Sequence, residues 1–154
     1  LLASEEAVAK WGLKPLGRIV DSQWSGLEPE QMGLGPVHAS TPLLQRHGLT
    51  LADIDYWELN EAFAAQVLGC LAAWQDDAYC REQLGLDAAF GSIDPARLNV
   101  DGGAVAIGHP VGASGARIVL HLLQVLRRNK AQRGVATICI GGGLGGAMLV
   151  EAAP

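Results

Sequence analysis

Apolar and polar positions along this chain change period repeatedly, and the changes mark its elements. Ser4, followed by Glu5 and Glu6, opens a helix over Glu5–Trp11. A serine hydroxyl caps free helical N–H groups, and carboxylates suit the positive end of the helix dipole. Gly12 then supplies the residue that most readily adopts a left-handed C-terminal cap. Leu16–Val20 reads as a strand, with the segment to Trp24 able to continue it, and Ser25–Pro36 is Gly- and Pro-rich and predicts a loop. A helix follows over Pro36–Arg46, ended by Gly48, and Asp53–Leu59 turns into a second strand. Asn60 is placed to cap a helix over Glu61–Trp74, where Phe63, Val67 and Leu71 recur at i, i+4 and i+8. Gln75–Leu98 is polar and mixed, with a short helix at Ala78–Leu84, and Arg97–Val100 reads as a short strand. Ser114 opens a helix to Arg128, with Ile118, Leu122 and Val125 on one face and basic residues near its C-terminus. Gly134–Ile140 and Ala147–Glu151 complete the pattern as strands.

Strands alternating with helices predict βαβ units and a largely parallel sheet. The last two strands are separated by only Gly141–Gly146, too few residues for a parallel crossover, so that pair is expected to be antiparallel. The result is a mixed α/β sheet. The 154 residues suffice for one domain with a real core. A hydrophobic fraction of 49% with 18% charged residues excludes a disordered chain, and its apolar excess predicts surface covered by another domain or subunit. The net charge of -5 leaves no basic footprint for nucleic acid. No apolar run is long enough to span a bilayer. Three cysteines without CxxC spacing predict neither a disulfide framework nor a metal site, and favour a reducing intracellular setting, cytoplasm or an organelle matrix. Leu1 and Leu2, running straight into the Ser4 cap, read as the tail of a strand begun upstream, so a piece of a longer protein is expected.

Three segments can carry chemistry: Asn60–Ala64 (NEAFA), Gly102–Gly115 (GGAVAIGHPVGASG) and Cys139–Gly146 (CIGGGLGG). Gly141, Gly143 and Gly146 fit GxGxxG, but a dinucleotide fingerprint must open a helix and precede a further strand bearing an acidic residue. Here a strand follows and the sequence stops, so the match is a by-product of glycine density. Gly102–Gly115 lacks the Gly-Lys-Ser/Thr ending of a phosphate loop. Cys139 admits two readings: a small buried residue, or a thiol at a strand terminus beside glycine N–H groups that can hold an oxyanion. His109, between Gly108 and Pro110, is either a loop residue or an imidazole placed where substrate can approach closely. Asn60 is explained by capping alone. Cys70, Cys80, His38, His47 and His121 are assigned no role.

Together and in this order, the three segments resemble the second half of the thiolase family, with similarity extending to SEEAVAKWGLKPLGRIV and MGLGPVHA earlier in the chain. The resemblance implies half of the duplicated thiolase fold: a five-stranded mixed sheet with helices on both faces, formed by residues 1–154 as one carboxy-terminal domain. It implies an acyl-CoA C-acyltransferase that thiolytically cleaves 3-ketoacyl-CoA or runs the Claisen condensation in reverse, more in the manner of β-oxidation than of biosynthesis. His109 would activate a nucleophilic cysteine, Cys139 would be the acid/base thiol, and Asn60 would hold a water that completes an oxyanion hole with His109. The Gly141 N–H would serve a second hole, and Ala62 and Phe63 would lie near pantetheine and acyl chain. Coenzyme A enters as a substrate, no cofactor is permanently bound, and the expected assembly is a homodimer or homotetramer.

Departures from the family pattern accompany the match. The nucleophilic cysteine belongs to the family's first half, and nothing here resembles its surroundings. Gln75–Leu98 is longer than in compact members, and His38 stands where proline is common. The isolated chain is therefore expected to be inactive. A ketoacyl synthase shares the fold but places histidine where this chain has Cys139. A non-catalytic thiolase-like assembly subunit is the rival of another class, and it has no need for Asn60, His109 and Cys139 together.

Overall fold

A computed structural model describes residues 1–153. The elements run α1 (Glu5–Trp11), β1 (Gly17–Gly26), α2 (Gly35–Arg46), β2 (Tyr56–Leu59), α3 (Ala64–Gln75), α4 (Asp77–Leu84), α5 (Ala104–Ile107), α6 (Val111–Asn129), β3 (Arg133–Ile140) and β4 (Leu144–Ala152), with short 3-10 turns between some of them. The Ser4 cap forms as predicted, its hydroxyl accepting the Ala7 N–H at 3.2 Å, and Gly12 closes α1 at φ 58°.

The strands lie in the order β1-β4-β3-β2, with β2 parallel to β3 and the other pairs antiparallel. The mixed sheet and the final antiparallel hairpin therefore match the pattern reading. The strand count does not: the sheet has four strands among the described residues rather than five. Leu1 and Leu2 are exposed and lie in no strand among the described residues. Arg97–Val100 gives only an isolated parallel bridge, Leu98 to Trp57. Asn99 ends that pairing by turning into the left-handed region at φ 45°.

Two helix starts also differ from the pattern. Asn60 is not a cap: its N–H donates to the Thr137 carbonyl at 2.9 Å, which prolongs the β2–β3 ladder. The chain stays extended to Phe63 (φ −148°, ψ 145°), so α3 begins at Ala64. At the other site Pro110, whose ring fixes φ, precedes a helix that starts at Val111, and Ser114 lies buried in its first turn.

Side chains alternate across a strand, so adjacent residues serve opposite cores. Val135 and Leu149 pack with Leu43 and Leu44 of α2 and with Trp57 and Trp74. Ala136 and Val150 pack with Ile118, Leu122 and Leu126 of α6. Helices thus cover both faces. Gly134 is required by this packing, since a Cβ there would stand 2.8–2.9 Å from the Leu122 side chain.

Candidate active site

Parallel β2 and β3 need a return from the end of one to the start of the other, and α6 makes it antiparallel to both. The first turn of α6 consequently lies at the carboxyl ends of the strands, where open α/β sheets bind ligands. Asn60 follows the last residue of β2, Cys139 is the penultimate residue of β3, and His109 immediately precedes the Pro110 that starts α6. One edge therefore collects all three, although they are spread over 80 positions of sequence.

Asn60 is 2% exposed, and neither its Nδ2 nor its Oδ1 has a hydrogen-bond partner among the described residues. A buried amide without partners costs roughly 1–3 kcal/mol, so a polar group reaching it would recover that cost. It borders a cavity of about 120 Å³ that also reaches Glu58, Gly103, Arg117 and His121. At about 30 Å³ of liquid volume per molecule, such a space admits water. A larger cleft of about 330 Å³, by Leu51 and Ile93, shares none of the candidate residues.

His109 is held from behind. Its Nδ1 lies 2.7 Å from the Ser114 hydroxyl, which donates its own proton to the Pro110 carbonyl at 3.2 Å. The single hydroxyl hydrogen can serve only one of these contacts at a time; whenever it stays on the Pro110 carbonyl, the hydroxyl accepts from His109 Nδ1 and the Nε2 lone pair faces outward. Arg117 donates to the Gly108 carbonyl at 2.8 Å and pins the preceding residue.

Cys139 is 6% exposed, and burial pushes its thiol up from the ordinary range. A protonated thiol there is an acid until a base or a developing charge draws the proton away. The β3–β4 turn just beyond it is fixed by glycine: Gly143 combines φ 82° with an approach to the Leu27 carbonyl that any Cβ would obstruct. Gly141 has open space where a Cβ would stand, and its N–H has no backbone partner among the described residues. That N–H is available to an oxygen anion at the strand end.

Ala62 is half-buried and Phe63 is 65% exposed. Val105, Ile107, Val111 and Leu144 are also exposed apolar residues. Pattern reading passed over several partners. Cys70 lies buried near Cys139, its thiol pushed up to about 12 by desolvation, with Gln66 donating to its sulfur at 3.4 Å. His121 is bracketed by Glu58 (2.7 Å) and Asp101 (2.9 Å), and Asp101 also receives Arg128. Ser114 was legible only as a helix-opening residue. Nothing in a helical serine's spacing shows which histidine it will meet.

An α/β sheet edge carrying Asn, His and Cys in these places defines a class, and sequence comparison supplies its family. Residues 13–152 match the thiolase carboxy-terminal domain, and the chain belongs to the thiolase family. It is 46% identical over 151 residues to the acetyl-CoA acetyltransferase of Shinella zoogloeoides, covering 98% of this chain and 34% of that protein. It is 43% identical over 155 residues to the 3-ketoacyl-CoA thiolase of Pectobacterium atrosepticum, covering 100% and 36%. The crystal structure of human mitochondrial 3-ketoacyl-CoA thiolase in complex with CoA superimposes with TM-score 0.81 at 42% identity, covering 99% of this chain and 34% of that one. The chain spans about a third of the length of these relatives.

Proposed function

We propose that this chain provides the acid/base half of an acyl-CoA C-acyltransferase that cleaves 3-ketoacyl-CoA with coenzyme A and, in reverse, condenses two acyl-CoA molecules. The observation that carries the reading is the buried Asn60 amide, without a partner among the described residues, on the same edge as a histidine braced at Nδ1 by Ser114. In thiolysis, a cysteine thiolate outside these residues attacks the ketone carbon, having given its proton to His109 Nε2. The C2–C3 bond then breaks and leaves an acyl thioester on that cysteine and an acetyl-CoA enolate. Water held by Asn60, together with His109, stabilises the enolate oxygen, and Cys139 Sγ–H delivers a proton to the enolate carbon. Incoming coenzyme A gives its thiol proton to the Cys139 thiolate and attacks the thioester carbon; the tetrahedral intermediate, whose oxygen meets the Gly141 N–H, expels the nucleophilic cysteine, which takes its proton back from His109. Loss of one donor of this kind lowers a rate by about 10²–10³-fold.

Ala62 and the exposed Phe63 would face pantetheine and acyl chain. The apolar surface around Val105, Ile107 and Val111 suits coverage by the amino-terminal thiolase half, in a homodimer or homotetramer acting in fatty-acid metabolism in the cytoplasm or an organelle matrix. The isolated chain, lacking the nucleophile, is expected not to turn over acetoacetyl-CoA. The test is Cys139→Ala in the native protein that carries this chain: condensation and acetyl-CoA methyl-proton exchange should vanish. Undiminished activity would refute the role of Cys139.

A further inference from the structure

The segment between α4 and α5 contributes one residue that the proposed chemistry does not use. Asn99 holds a left-handed φ of 45°, and its hydrogen bonds account for that conformation. Its backbone N–H donates to the Trp57 carbonyl at 2.9 Å, continuing the Leu98 bridge along the free edge of β2. Its side-chain amide then behaves as one more peptide group. Oδ1 accepts the Leu59 N–H at 2.9 Å and Nδ2 donates to the Leu59 carbonyl at 2.9 Å. Leu59 is the residue before Asn60, so both backbone polar groups on the amino side of Asn60 are held by one side chain.

Glu61, the residue after Asn60, is held as well. Its Oε1 accepts from Asn99 Nδ2 at 3.2 Å and its Oε2 accepts the Val105 N–H at 3.0 Å. Gly103 makes room for this carboxylate, since a Cβ there would stand 2.5–2.9 Å from its atoms. The Asn60 amide itself has no partner among the described residues to orient it. The Asn60 backbone N–H is tied to the Thr137 carbonyl and its carbonyl to the Ala62 N–H, and Asn99 adds a grip on the residues to either side. His109 has holds of its own, since Ser114 contacts its ring and Arg117 holds the Gly108 carbonyl.

We propose that Asn99, with Glu61, is a positioning residue that aims the Asn60 amide at the water that meets the enolate oxygen. The inference rests on the thiolase reading, and the two proposed half-reactions separate its effect from general damage. Methyl-proton exchange of acetyl-CoA with deuterium oxide requires the enolate site. Exchange of labelled coenzyme A into acetyl-CoA requires the acyl-enzyme and not the enolate.

In the native protein carrying this chain, Asn99→Ala should slow deuterium exchange about 10- to 100-fold, the range a small misplacement of a catalytic group produces. Coenzyme A exchange should be unchanged. Asn99→Asp keeps the volume and the acceptor for the Leu59 N–H but loses both Nδ2 donations, so it should show the same split, which guards against a folding defect in the alanine variant. In an Asn60→Ala background, Asn99→Ala should add no further loss, because its target is gone. Equal falls in the two exchanges, no fall in either, or a full additional loss in the Asn60→Ala background would overturn the inference alone. Absence of both exchanges in the unaltered protein would sink the thiolase reading, and the inference with it.

Discussion

Replacing Ser114 with alanine isolates what the histidine tautomer is worth. The hydroxyl is fully buried, lies 2.7 Å from His109 Nδ1 and donates to the Pro110 carbonyl. Removing it orphans no carbonyl, because the Ser114 backbone N–H also reaches Pro110 O at 2.9 Å. Folding should therefore be little disturbed. The imidazole loses the contact that puts its proton on Nδ1, and the population with a free Nε2 falls by the worth of that bond. A net hydrogen bond of about 0.5–1.5 kcal/mol corresponds to a rate loss of about 2- to 13-fold. Exchange of labelled coenzyme A into acetyl-CoA, measured in the native protein carrying this chain, reads that step directly. An unchanged rate would show that His109 is oriented by something else. A loss beyond about 100-fold, more than a single neutral hydrogen bond supplies, would show that Ser114 acts in the chemistry itself.

Two further outcomes follow from packing and charge. His47 first, then Arg46 and the Ser22 N–H, hold the Asp21 carboxyl at about 2 against an ordinary 3.8. A depressed acid stabilises the fold above its unfolded value and loses that contribution as pH falls towards the folded one. Wild type should therefore melt above Asp21→Asn at neutral pH, with the gap closing between about 3.8 and about 2. A gap independent of pH in thermal melts would show that the ion pairs do not contribute. Leu122→Ala, at a fully buried α6 position against Gly134, should destabilise the chain by about 2–5 kcal/mol in urea unfolding. A change below about 1 kcal/mol would mean that this face of the sheet is loosely packed.

Local physics made part of this protein legible in one dimension. The Ser4 cap, the helical spacing of Ile118, Leu122 and Val125, and the hairpin forced by a short glycine linker all depend on neighbours within a few residues. The three motif segments are also local strings, so the family could be reached from them. Asn60 shows where that logic stops: as a string it is a good helix cap, but the Thr137 carbonyl captures its N–H and keeps the chain extended through Phe63. Thr137 lies 77 positions away, and no window of sequence contains both.

The expected fifth strand failed for a related reason, since a strand exists only when another chain segment offers its edge. Leu1 and Leu2 find none, and Leu98 finds one residue's worth before Asn99 turns away. Sequence by itself determined which residues could act, through motif chemistry and helical period. Only tertiary structure decided how each is held: Ser114 against His109, Asn99 against Leu59 and Glu61, and an Asn60 amide without a partner among the described residues. Those contacts join residues up to 40 positions apart across a sheet edge, and their geometry is set by sheet register and helix return, which no local propensity encodes.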